Sequence, residues 1–324
     1  MIRGGLLFGE DLFIILVIPT FSGEEAMARV LVLGARGMVG HELLKACRGQ
    51  YEVFDLGKQD LDITHQEATR RTIETISPHV VINAAAYTDV DGCEKNMQKA
   101  FAINGEGTRN VVKGCKYSGA KLVYISTDYI FDGKKRSPYV ENDLPNPPNI
   151  YGESKLLGES YVERLLDDYL IIRSQWLYGK HGRNFVETIL SLAAKNRRIE
   201  VVNDQIGCPT YAVDLSMAIL ALLSKDARGI FHVSNSGSCS WYEFALEIVR
   251  LAGMDRVKIV PISSGALNRP AKRPLYSVFD CQNLHKQAGV QMRSWQEALH
   301  DYFSHRNGYD GDLEEAGAID WRNG

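Results

Sequence analysis

Short apolar runs alternate with stretches of helical period along most of this chain. Val30-Leu-Val-Leu33, Lys121-Leu-Val-Tyr-Ile-Ser126 and Tyr169-Leu-Ile-Ile172 are apolar almost throughout, the pattern of strands buried on both faces of a parallel sheet. Tyr51-Glu-Val-Phe54, His79-Val-Val-Ile82 and Gly229-Ile-Phe-His-Val233 read as further strands. The stretches between them carry helix signals. Leu43, Leu44 and Cys47 fall on one side of residues 41–47, where Glu42 reads as a lone exposed acid, and a helix is expected over 97–117. Pro147 and Pro148 stand where they can open a helix but cannot lie inside one, and Ser240 with Glu243 makes a capping box. Strand followed by helix, repeated, predicts an α/β fold on a doubly wound parallel sheet.

The junction after the first strand gives such a sheet a use. Gly34-Ala-Arg-Gly37-Met-Val-Gly40 follows the strand at once and opens the first helix. Strand, glycine turn and helix in that order make a phosphate site: N–H groups at the helix start face a pyrophosphate, and the glycines let it approach. Asp55, 15 residues past the last glycine, suits the ribose diol of NAD(H). Arg36 in the loop and Lys58 beyond would welcome the 2′-phosphate of NADP(H), so both coenzymes stay open. Asp62 and Ile63 offer a carboxylate and an apolar wall for an adenine, or Asp62 caps the turn before His65. The third strand ends in Asn83-Ala-Ala-Ala-Tyr-Thr88, where small residues such as Ala85 and Ala86 let a flat cofactor lie against the backbone or simply pack tightly. Thr88, Asp89 and Asp91 face the substrate or cap the next turn, and Asn104 is a candidate for bonding to backbone nearby.

Ser126-Thr127-Asp128 leaves the carboxyl end of the fourth strand, and Tyr151-Gly-Glu-Ser-Lys155 begins 24 positions after Thr127. Tyr151 and Lys155, four apart, share a helix face. Hydroxyl, phenol and ammonium are the parts that protonate a ketone oxygen while a hydride reaches its carbon. A free phenol, with a pKa of about 10, is an inefficient acid at neutral pH. An ammonium beside it is expected to pull that value down, and a shift of about 3 units corresponds to roughly 4 kcal/mol. The Thr127 hydroxyl can donate to the same substrate oxygen. Further on, Trp176 is a wall for a sugar ring or a core tryptophan, and Asn184 at the opening of a helix near 185–195 is a substrate contact. The turn-rich Asn203-Asp-Gln205-Ile-Gly207-Cys-Pro209-Thr210 is a ligand-loop candidate. Asn268-Arg269-Pro-Ala-Lys-Arg273-Pro274 brings cations, Arg273 among them, to hold a substrate diphosphate. These motifs divide the chain into an NAD(P)-binding part over 27–174, joined by a later strand near 229–233, and a mainly substrate-binding part over 175–306.

Composition narrows the setting. The chain has 324 residues, 45% hydrophobic and 24% charged, with a net charge of −3, which gives no electrostatic case for nucleic acid or an anionic membrane. Leu12-Phe-Ile-Ile-Leu-Val-Ile18 is far short of the ~20 apolar residues that span a bilayer, and residues 1–26 read as an extension ahead of a start at Met27. Residues 307–324 are Gly- and acid-rich and are expected to be disordered. Six scattered cysteines without a C-x-x-C pair suit reduced thiols in a cytoplasmic protein, and no metal-ligand cluster is evident.

Together the glycine loop, Asn83-Ala-Ala-Ala, Ser126-Thr-Asp-Tyr-Ile-Phe-Asp-Gly133, Tyr151-Gly-x-x-Lys-x-x-Gly-Glu159, Arg173-Ser-x-Trp176-x-Tyr-Gly, Asp204-Gln-x-Gly-x-Pro-Thr210 and Arg273-Pro resemble the dTDP-4-dehydrorhamnose reductases, extended short-chain dehydrogenases/reductases. The resemblance covers about residues 28–305 and implies a Rossmann-type doubly wound sheet with a smaller C-terminal substrate-binding region. It implies NAD(P)H-dependent reduction of dTDP-4-dehydro-β-L-rhamnose, with Tyr151 as proton donor and Lys155 as its activator and ribose ligand. Thr127, Asp128 and Trp176 would meet the nucleotide-sugar substrate. Gly37, Met38, Val39, Asp55, Asp62, Ile63, Ala86, Tyr87 and Thr88 would contact the cofactor. Gln175 before the Trp and Arg36 in the loop depart from the family pattern. Some members of that family bind Mg²⁺ at a dimer interface through several acids, a set not identifiable in this sequence, and a homodimer is compatible with the resemblance. The NADP-binding regulatory subunit of methionine adenosyltransferase resembles the same family, so a non-enzymatic regulator is the rival reading. A reductase or epimerase of another nucleotide sugar is the nearer alternative.

Overall fold

The computed structural model describes residues 27–307, so the amino-terminal extension and the tail beyond 307 lie outside the described residues. In chain order the first half is β1 (Arg29–Leu33), α1 (Met38–Cys47), β2 (Glu52–Leu56), α2 (Gln66–Ile76) and β3 (Val80–Asn83). Then come α3 (Val90–Lys95), α4 (Met97–Ala100), a π-helical turn (Phe101–Gly107), α5 (Thr108–Ser118), β4 (Lys121–Thr127), a 3-10 turn (Asp128–Ile130), α6 (Ile150–Leu165) and β5 (Tyr169–Ser174). The helix expected as one piece over 97–117 is thus three segments. Its widened middle holds the weak helix formers Gly105 and Gly107 and the fully buried Asn104.

The second half runs β6 (Leu177–Tyr178), α7 (Phe185–Lys195), β7 (Arg198–Val202), β8 (Ile206–Gly207), β9 (Thr210–Tyr211), α8 (Ala212–Ser224), β10 (Gly229–His232), β11 (Cys239–Ser240), α9 (Trp241–Leu251), β12 (Lys258–Ile262), α10 (Gln282–Ala288) and α11 (Trp295–Asn307). Six strands form one sheet in the order β10-β5-β4-β3-β1-β2, every neighbouring pair parallel. This is a doubly wound α/β sheet, as the sequence pattern predicts. The apolar runs of β1 and β4 are buried throughout their centres because helices cover both faces. Leu43 and Cys47 of α1 join α8 residues on one face; Ile73 of α2, Val111 of α5 and Val162 of α6 fill the other.

The order reverses between β1 and β3, which is where ligands bind open parallel sheets, outside the carboxyl ends of the strands. The Gly34 turn, the loop after Asn83 and Thr127 all emerge at that edge. A separate core gathers Tyr178, Phe244, Trp295 and Tyr302 under α7, α9 and α11. Glu42 corrects the sequence expectation: it is only 6% exposed, within 3.7 Å of Lys45 on its own helix. Among the described residues no helix is long and apolar enough to cross a membrane.

Candidate active site

The glycine turn is built for close approach. Gly34 has φ +77°, and a Cβ there would lie 2.7 Å from the backbone of Ala84 and Ala85, so the loops after β1 and β3 touch only because this position has no side chain. Gly37 is the N-cap of α1 and supplies no side-chain cap, and no acid stands in the first turn. The first N–H groups, of Met38, Val39 and Gly40, are left for an anion, and the helix dipole favours one there. The chemistry of a pyrophosphate fits this cradle.

Arg36 and Asp55, whose opposite preferences leave the coenzyme open in the sequence, meet each other: Nη1 is 2.6 Å from Oδ2, both side chains well exposed. Asp62 receives the N–H and hydroxyl of Thr64, which hold its carboxyl below the usual range, so it shapes the turn before His65. Ile63 is 4% exposed, its side chain in the core against Gly107. Ala85 and Ala86 are half-buried at the end of β3, and Thr88 is exposed. Asn104 takes the N–H of Tyr87 at 2.8 Å and donates to the Tyr87 carbonyl and the Ser154 hydroxyl, tying the β3 loop to α6.

The α6 helix is opened by Asn149, whose Oδ1 accepts from Gly152 N at 2.8 Å, just after the two prolines. It lies tight on the sheet at Gly158, where a Cβ would come within 2.3 Å of the Tyr124 hydroxyl. That approach delivers Tyr151 and Lys155 to the end of β4. The Tyr151 ring is edge-on to Tyr129, centroids 5.5 Å apart, and its phenol lies near the Thr127 hydroxyl. Thr127 Oγ1 accepts from Tyr129 N and lies 3.1 Å from Asp128 Oδ1.

The charge balance differs from the sequence expectation. Burial pushes the Tyr151 phenol well above the ordinary phenol range, the nearby Thr127 hydroxyl offsetting only part of this. Lys155 does not meet the phenol: its Nζ donates to Ile125 O at 2.7 Å and sits 4.0 Å above the Tyr124 ring. Burial draws its ammonium down to about 7, with Glu159 one turn along pulling the other way. A phenol that stays protonated at neutral pH is a proton donor in reserve, and Asp128 next to it is raised by burial to about 7. The site can therefore give a proton to a substrate oxygen.

A cleft of about 660 Å³ opens beside this group, lined among others by Tyr129, Phe185, Trp241, Arg269, Lys272 and Arg273. Arg273 is clamped by Asp91, at 2.9 and 2.7 Å, which holds that carboxyl below its usual range; Arg269 and Lys272 are the other cations of the loop on the cleft. Trp176, at φ +47°, is stacked on Trp241 with centroids 3.5 Å apart, and it is Trp241 that lines the cleft. Asn184 spends its polar atoms as the N-cap of α7, accepting from Glu187 N and donating to Gly179 O. Trp241 and Phe185 carry no motif that would have marked them. Glu159, four residues after Lys155, does carry a signal in its spacing. Among the described residues no group of three or more His, Cys, Asp or Glu could hold a metal, and two converging acids, Asp214 and Asp301, are bridged by Arg293.

Residues 28–307 match the family model described as the RmlD substrate binding domain. A dTDP-4-dehydrorhamnose reductase from Streptomyces griseus is 41% identical over 85% of this chain and 93% of its own length. The spore coat polysaccharide biosynthesis protein SpsK of Bacillus subtilis (strain 168) is 43% identical over 87% of this chain and 99% of its own. Among solved structures, the dTDP-4-dehydrorhamnose reductase of Bacillus anthracis str. Ames in complex with NADP superposes with a TM-score of 0.84 at 43% identity, covering 86% of this chain and 100% of that one.

Proposed function

The chain belongs to the dTDP-4-dehydrorhamnose reductase family of extended short-chain dehydrogenases/reductases, and from that premise we propose that it reduces the C4 ketone of dTDP-4-dehydro-β-L-rhamnose to dTDP-L-rhamnose. The observation that carries this reading is the meeting of Tyr151 and Thr127 at the end of β4, on the same sheet edge as the Gly34 turn. The Gly34 turn and the start of α1 would hold the pyrophosphate of NADPH or NADH, and Lys155 and Tyr151 the nicotinamide end. When bound, that dinucleotide supplies the hydride. Tyr151 gives its proton to the ketone oxygen, and the Thr127 hydroxyl steadies negative charge there. The nucleotide end of the sugar lies in the cleft beside Trp241, with Arg269 and Lys272 toward its phosphates. Six free thiols suit a cytoplasmic setting.

Mixing the purified protein with NADPH or NADH and enzymatically generated dTDP-4-dehydro-β-L-rhamnose should deplete absorbance at 340 nm and yield dTDP-rhamnose. Saturable coenzyme binding without turnover would shift the reading to a regulatory subunit or to another sugar. The Arg36–Asp55 pair sets a second expectation. In Asp55→Ala the guanidinium is free for a 2′-phosphate, so the ratio of kcat/KM for NADPH over NADH should rise by about tenfold, the equivalent of 1.4 kcal/mol. Arg36→Ala should move the ratio the other way. Equal ratios in both variants would remove the pair from coenzyme choice.

A further inference from the structure

The cationic segment on the cleft carries free side chains on a clamped backbone. Arg269 and Lys272 are exposed, whereas Ala271 between them is buried. The Ala271 N–H donates to Asp91 Oδ1 at 3.1 Å, and its carbonyl accepts at 2.8 Å from the Arg273 guanidinium that Asp91 clamps. The next carbonyl, of Lys272, accepts from Asn149 Nδ2 at 2.6 Å. Pro270 and Pro274 fix φ on either side of these residues. At the far end a Cβ on Gly133 would lie 2.5 Å from Leu275 N, so the loop after the 3-10 turn closes directly on the segment.

Asn149 joins this segment to the catalytic helix. Its Oδ1 caps α6 by accepting from Gly152 N, so the other end of the amide is the donor, and the Lys272 carbonyl is its partner. Capping alone does not require asparagine. Serine and aspartate cap as well, but aspartate has no N–H for the second bond, and the single oxygen of serine is taken by the cap. Asn149 is 4% exposed, which leaves little room for water to replace that bond. Glu94, on α3 like Asp91, accepts from Ile150 N at 2.9 Å. Thus α3, the first turn of α6 and residues 271–273 form one unit, and Tyr151 follows Asn149 by two positions.

We propose that Asn149 is a positioning residue that fixes the cations of this segment relative to Tyr151, so that phosphates held at Arg269 and Lys272 set the sugar ketone against the phenol. The inference rests on the ketone reduction proposed above, whose substrate carries its phosphates on one side of the sugar ring and its ketone on the other. With the Lys272 carbonyl held, a phosphate meets cations whose backbone is already ordered, and loop ordering does not subtract from binding. Without that bond the segment keeps Asp91 but loses its direct tie to α6.

Two variants break the tie and keep the cap. Asn149→Ser removes the donor to Lys272 O, and Asn149→Asp sets a carboxylate against that carbonyl. Each should weaken dTDP binding, measured by titration calorimetry, by about tenfold, the worth of one hydrogen bond. The fall in kcat/KM for the nucleotide sugar should be larger than the fall in dTDP affinity, because the ketone is misplaced as well. Coenzyme affinity and the unfolding midpoint should stay near wild type.

Lys272→Ala completes the test, since it removes the ammonium and leaves the carbonyl that Asn149 holds. Its effect on dTDP affinity should shrink once Asn149→Ser is present, so that the double variant loses less than the product of the two single fold-changes. If Asn149 only caps the helix, Asn149→Ser will bind dTDP like wild type. That result, or independent fold-changes in the double variant, would overturn the proposal even with full sugar turnover by wild type. So would a wild type that binds no dTDP. Coupled losses of dTDP affinity in a protein that reduces no 4-keto sugar would instead support the fixed cations and remove the ketone-reduction reading.

Discussion

Tyr151→Phe is expected to lower kcat for 4-keto sugar reduction by about two to four decades, the usual worth of general acid catalysis, while coenzyme affinity stays close to wild type. The ring has the support to remain in place. It packs against the buried cluster of Cys93, Ala100 and Ile150 and meets Tyr129 edge-on, none of which depends on the hydroxyl. What the variant lacks is the proton that burial keeps on the phenol at neutral pH. Steady-state kinetics with a direct measure of coenzyme binding separates the two effects. A variant retaining full rate would show that the phenol is not the acid, and Asp128 would take its place as the first candidate.

The largest stability effect is expected beneath Lys155. Glu159 is fully buried and Arg173 is 2% exposed; their side chains meet at 2.7 Å, with a further contact at 3.1 Å. Ser126 donates to the same carboxylate, and Arg173 reaches the Glu141 carbonyl. Glu159→Ala strands the guanidinium in the core, which should cost on the order of 3–5 kcal/mol and lower Tm by roughly 10 °C for a chain of this size. Replacing both partners, Glu159→Leu with Arg173→Met, removes the stranded charge and should recover much of that loss. Denaturant unfolding of the single and double variants checks it. A single variant within about 1 kcal/mol of wild type would mean that water or a neighbour reaches Arg173 there. Glu159 also favours the protonated form of Lys155, so its loss should lower that ammonium further.

The sequence by itself determined the sheet, the glycine turn and the catalytic helix. Each is written in local pattern: apolar runs for β1, β4 and β5, a glycine spacing between strand and helix, and a Tyr and Lys four apart behind two prolines. Solvation and hydrogen bonding of neighbouring residues decide such features, and neighbours are what a sequence displays. Tertiary structure alone decided how the polar side chains are spent. Arg36 and Asp55 looked like rival coenzyme signals until two loops paired them, and Arg273 looked free until Asp91, distant in the chain, took its guanidinium. Trp241 came to line the cleft because Trp176 stacks behind it. The Tyr151 phenol went up in pKa because burial outweighs the Thr127 hydroxyl that opposes it, while the nearby ammonium is bonded to Ile125 O. A charge or hydroxyl within hydrogen-bond reach counts for far more than one a few ångströms farther off, and those distances are set only when the strands and helices have docked.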